Sequence, residues 1–177
     1  MIATSEITLV DLPPLQVARF LFFGENPVTE GRAVLRAWAA RYGLLDQPDR
    51  FPIFGTRTSQ PIATDPQYGY AFMIALNSDQ GADLGIDLLT LPEGRYAVTR
   101  CWEPEGGSQA VIDETWAALN EWLSHIAYVR DDRSALERHY LSEDTAASYP
   151  IDLYLPVVKL PTLNLAGETH SNGGGFY

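Results

Sequence analysis

The sequence predicts an α+β fold: two strand-helix-strand-strand units, related by a pseudo-twofold axis, share an antiparallel sheet around a central ligand cleft. Three observations carry this reading. Leu12-Pro13-Pro14-Leu15-Gln16-Val17-Ala18-Arg19-Phe20 resembles Leu91-Pro92-Glu93-Gly94-Arg95-Tyr96-Ala97-Val98-Thr99, a weak repeat at about half the chain length. Each segment leads into a stretch with apolar residues at helical spacing. Each of those stretches is followed by two runs with the alternation of strands. A single domain is expected over 1–165, with repeat 1 at about 8–80 and repeat 2 at about 86–160.

The Leu-Pro pair marks a turn, because proline presets φ and lacks the N–H that a continuing strand would donate. In the first unit Thr29 is read as the helix N-cap, with Val34, Leu35, Trp38, Ala39, Tyr42 and Leu45 as the apolar stripe. In the second, Val111, Thr115, Leu119, Trp122, Leu123 and Ile126 repeat the pattern, with Trp116 on its flank. Trp38 and Trp122 read as core packing against a sheet. Strand-like runs at 53–58 and 70–76 complete the first unit, and those at 135–140 and 151–158 the second. The tail 166–177, with Gly173-Gly174-Gly175, has no periodicity and is expected to be mobile.

Composition narrows the function. A chain of 177 residues, 46% hydrophobic, can bury a real core in one domain. Twenty-three acids against 12 basic residues, with no basic stripe, argue against nucleic-acid binding, which draws its affinity from Lys and Arg on phosphates. The lone Cys101 excludes an internal disulfide and a cysteine-based zinc site. There is no apolar run of membrane-spanning length and no signal-peptide pattern, so a cytoplasmic location without a membrane partner is expected. Without a P-loop, dinucleotide fingerprint or nucleophile elbow, no cofactor is expected.

Two units on one sheet leave a cleft on the sheet face away from the helices, or at the seam between the units. Ile151, Leu153 and Leu155 alternate with Asp152 and Tyr154, so the aliphatic trio should face the helices and Asp152 and Tyr154 the cleft. Tyr70, Phe72 and Ile74 match the trio in the first unit, leaving Ala71 and Met73 at cleft positions. With Leu136 turned to the helices, Glu137 and His139 would share the cleft face, where the first unit has Gly55 and Arg57. A glycine matched with a glutamate is the sharpest break in the repeat.

The second unit also carries a family resemblance. Leu91-Pro92-Glu93-Gly94-Arg95-Tyr96-Ala97-Val98, then Thr115-Trp116-Ala117-Ala118-Leu119 with Trp122, resembles the GyrI-like small-molecule-binding domain, the effector-binding domain of multidrug-sensing bacterial transcription activators. So does Leu136-Glu137-Arg138-His139-Tyr140 followed by Ile151-Asp152-Leu153-Tyr154-Leu155-Pro156-Val157. The resemblance covers roughly residues 8–160. It implies a duplicated fold with a central cleft, and a cleft glutamate, matched by Glu137, that pairs with cationic aromatic ligands. Asp152 and Tyr154 match acidic and aromatic lining positions. Too few residues precede the first strand for a helix-turn-helix, so a stand-alone member related to transcription regulators is expected.

The leading expectation is therefore binding of a small, cationic or amphipathic aromatic molecule. Glu137 is the counter-charge, and His139, Asp152, Tyr154, Trp102, Met73, Tyr68 and Arg57 complete the expected ligand-binding set. Each has an ordinary structural alternative: Glu137 and Arg57 as a salt bridge, Met73 and Tyr68 as packing, Asp152 as an exposed acid, His139 as a polar wall. Glu137, His139 and Asp152 lack a metal-binding motif, and no metal is expected. The resemblance leaves two further readings open. One is hydrolysis of a reactive electrophile, with Glu137 as the catalytic residue orienting water. The other is interaction with a protein partner, as in gyrase-modulating members; the oligomeric state is left open.

Overall fold

The two Leu-Pro turns decide how the sheet closes. The computed structural model describes residues 6–104, 109–141 and 148–161, so the tail lies outside the described residues. β1 (Thr8–Leu12) is joined to β2 (Leu15–Gly24) by Pro13 and Pro14 alone, and β5 (Leu89–Leu91) to β6 (Gly94–Pro104) by Pro92 and Glu93. The remaining elements are α1 (Pro27–Arg41), β3 (Ile53–Arg57), β4 (Tyr68–Ala75), α2 (Ser78–Leu84), α3 (Gln109–Leu123), β7 (Tyr128–Arg130), β8 (Leu136–His139) and β9 (Ser148–Lys159). The sheet is antiparallel throughout, in the order β1-β6-β9-β8-β3-β4-β2-β5, with β7 beside the end of β9.

β1 therefore lies at one edge of the sheet, while β2, two linker residues away, pairs with the strand at the other edge. A two-residue link spans roughly 10 Å, so the edges must approach and the sheet must curl. The inner face shows that closure. Val17 of β2 and Tyr96 and Val98 of β6, far apart in strand order, share one apolar cluster with Phe54, Met73, Leu136 and Tyr154.

The helices cover the other face. Gly31 of α1 has no side chain where a Cβ would lie 2.9 Å from the Phe22 ring and closer still to Phe72, which lets the helix approach β2 and β4. Leu35 and Ala39 pack there with Phe72 and Ile74. α3 packs on β6 and β9 through Ile112, Leu119 and Leu123, with Trp116 and Trp122 half-buried beside them.

Three helix details differ from expectation. α1 begins at Pro27 with Asn26 as N-cap, because proline suits the first helical turn, whose N–H groups lack intrahelical partners; Thr29 already lies inside the helix. Val34 and Tyr42 are exposed, whereas Arg32 is buried at 6%. α2 was not anticipated; its Asn77 cap exchanges hydrogen bonds with Gln80.

Register overturns one expected orientation. Leu136 stands opposite Tyr154, Glu137 opposite Leu153, Arg138 opposite Asp152 and His139 opposite Ile151. Directly paired residues share a face. Glu137 and His139 thus lie on the helix-covered face with Leu153 and Ile151, and Leu136 points into the curl. Asp152 and Tyr154 do not share their face. Alternation sets which residues of one strand are together, but the pairing register sets how two strands are phased.

Candidate functional site

At the seam between the halves, β3 pairs with β8 and Gly55 stands directly opposite Glu137. Residues at the N-terminal ends of α1 and α3 line, together with this seam, a cavity of about 360 Å³. Thr29 comes from α1 and Asn26 from its N-cap, Gln109 and Ile112 from α3, Arg57 and Tyr68 from β3 and β4, and Glu137 from β8. This cavity thus lies on the helix-bearing side of the seam.

Glu137 is held from below. The Tyr70 hydroxyl donates to Glu137 Oε2 at 2.5 Å and lies 2.8 Å from His139 Nε2. Arg32, from α1, donates to His139 Nδ1 at 2.8 Å. Arginine offers only donors, so Nδ1 must accept and the proton of the neutral ring sits on Nε2. Nε2–H then donates to Tyr70, and Tyr70 donates to Glu137. One tautomer therefore satisfies the whole chain Arg32–His139–Tyr70–Glu137.

The electrostatics agree with that direction. Burial, and then the Arg32 guanidinium, push the His139 pKa well below its ordinary value, so the ring is neutral. Burial, followed by the Glu137 charge, pushes Tyr70 well above the ordinary phenol value, keeping its proton in place as a donor. The His139 side chain is fully buried, whereas that of Glu137 is 14% exposed. The carboxylate is the end of this chain that reaches the cavity.

Gly55 makes the arrangement possible. A Cβ there would fall against the Tyr70 hydroxyl and within 2.5–2.6 Å of its ring carbons. The glycine matched with a glutamate is thus where the Tyr70 ring crosses the sheet surface.

The expected ligand residues divide between the two faces. Arg57 and Tyr68 line the cavity with Glu137, the guanidinium 4.7 Å from the Tyr68 ring centre; His139 lies beneath it. Met73 and Tyr154 are in the core inside the curl, Tyr154 packing edge-on to Phe54 and Tyr96. Asp152 accepts from Arg100 at 2.6 and 3.0 Å and from Tyr140 at 2.5 Å. Trp102 is 54% exposed, on the strand face of Arg100 rather than that of Cys101, whose side chain packs beneath α3. Glu137, His139 and Asp152 therefore do not converge, and no cluster competent to hold a metal occurs among the described residues.

Sequence reasoning missed Tyr70, read only as a helix-facing apolar residue, and Arg32. The spacing of Val28, Arg32, Leu35 and Ala39 puts Arg32 on the buried stripe of α1, a signal that was available.

The sequence matches the GyrI-like small-molecule-binding domain over residues 5–158, nearly the whole described chain. The protein belongs to the GyrI-like family. No curated protein matches the sequence. Among solved structures, the EcmrR C-terminal domain is 12% identical with a TM-score of 0.58, over 88% of this chain and 98% of that one. EcmrR in its DNA complex gives 14% and 0.59, and this chain spans 58% of its length. A hydrolase from Listeria innocua gives 12% and 0.54, over 86% of this chain and 92% of that one. These likenesses establish the shared fold. As a GyrI-like domain the chain is built to bind a small molecule, and no helix among the described residues is long and apolar enough to cross a membrane.

Proposed function

We propose that this GyrI-like domain binds a small, cationic or amphipathic aromatic molecule in the seam cavity, as a sensing or sequestering protein. The observation that carries the reading is Glu137, a carboxylate buttressed by Tyr70 and presented to a cavity of about 360 Å³. A carboxylate on a cavity wall attracts a ligand of opposite charge. Tyr68 supplies an aromatic wall, and cation–π attraction adds about 0.5–2 kcal/mol.

The test is calorimetric titration with the lipophilic cation tetraphenylphosphonium and the neutral triphenylphosphine oxide, on the native chain and on Glu137→Gln. The cation should bind more tightly, and E137Q should weaken it about tenfold, or roughly 1.4 kcal/mol, while leaving the neutral compound unchanged. Equal affinity for the two compounds, or a cation indifferent to E137Q, overturns the reading.

A further inference from the structure

A second cavity, of about 270 Å³, adjoins the first and shares Arg57 and Glu137 with it. Its other walls have a different character. Arg130 comes from the end of β7, Gln60 and Ser134 add neutral hydrogen-bonding groups, and Trp116 of α3 supplies an apolar side.

Arg57 and Arg130 differ from four other arginines of the fold. Arg95, Arg100, Arg133 and Arg138 each pair with an aspartate at 2.6–2.9 Å. Arg57 instead lies over the Tyr68 ring and reaches Gln60 Oε1 at 3.4 Å, and Arg130 has no ion pair among the described residues. In a chain with net charge −11, two arginines line this cavity, and among the described residues Glu137 is the one acid on its lining. Arginine's planar donor fork matches carboxylate and phosphate oxygens.

We propose that the ligand is zwitterionic: besides the cationic part received at Glu137, it carries an anionic group, a carboxylate, sulfonate or phosphate, held by Arg57 and Arg130. This inference rests on the cavity reading above and narrows its ligand class. A simple cation in the joined cavities is drawn to Glu137 but meets two guanidiniums. A simple anion satisfies the guanidiniums but meets Glu137. A molecule bearing both charges complements both walls, with its apolar body against Tyr68 and Trp116.

Rhodamine B and rhodamine B ethyl ester test this directly, because they share one cationic aromatic body and differ in a free carboxylate. Calorimetric titration of the native chain should show the acid binding about tenfold more tightly than the ester. R130Q and R57Q should each shrink that ratio to about twofold or less, and E137Q should weaken both dyes. An ester that binds as tightly as the acid, or a preference that survives both arginine substitutions, overturns the anionic subsite while leaving the cation site standing. Failure of both dyes to bind the folded native chain overturns the two readings together.

Discussion

The Tyr70 hydroxyl sits 2.5 Å from the Glu137 carboxylate, so a side chain from the first half of the chain holds a carboxylate of the second. Tyr70 comes from β4 and Glu137 from β8, with β3 between them. The ring crosses that intervening strand where Gly55 leaves room.

Tyr70→Phe removes the donor to Glu137 and the acceptor for the buried His139 Nε2–H. Leaving buried polar groups without partners costs about 1–3 kcal/mol. Urea unfolding should show that loss, and tetraphenylphosphonium should bind more weakly because Glu137 is no longer held. Native stability together with native cation affinity in Y70F would contradict the role given to this hydroxyl.

Gly55→Ala places a methyl group against Tyr70 and should destabilise the fold by about 1–3 kcal/mol through overpacking. The cost should fall when the hydroxyl is already absent, so G55A and Y70F should be less than additive. A double-mutant cycle by chemical denaturation measures the coupling. Strict additivity would mean that Gly55 does not make room for this ring.

Stability should depend on pH through His139. Its folded pKa is depressed by burial and then by Arg32, so below about pH 6.5 the unfolded chain takes up a proton that the native ring refuses. The contribution is fully present above the unfolded value. It is lost as pH falls toward the folded value, with a slope of up to about 1.4 kcal/mol per pH unit. Unfolding free energies measured from pH 7 to 5 should fall more steeply for the native chain than for His139→Gln. Parallel curves would exclude a buried neutral histidine.

Asp152 provides the contrast with Glu137. Asp152→Asn weakens the pair with Arg100 and changes the acceptor of the Tyr140 hydroxyl. The Arg100 side chain is 36% exposed, so screening reduces the expected loss to about 1–3 kcal/mol. D152N should lower the unfolding midpoint yet keep native affinity for tetraphenylphosphonium, whereas E137Q should lose affinity. Equal loss of binding in both variants would place Asp152 functionally with Glu137, against the strand register.

Much of this protein follows from local pattern alone. Periodicity and turn chemistry determined the α+β class, α1 and α3, the long strands and the apolar faces of Tyr70-Phe72-Ile74 and Ile151-Leu153-Leu155, because they depend on neighbours in the chain. The family motif singled out Glu137, and the expected site also held Tyr68 and Arg57; the cavity brings these three together. Tertiary structure decided which face Glu137 and its cavity occupy. A strand's alternation is unchanged by a one-residue slip in pairing, so the pairing of Leu136 with Tyr154, rather than any local preference, separated Glu137 from Asp152 and Tyr154. It also decided the use of Arg32 and His139, 107 positions apart in sequence, whose contact exists only once α1 lies on the sheet.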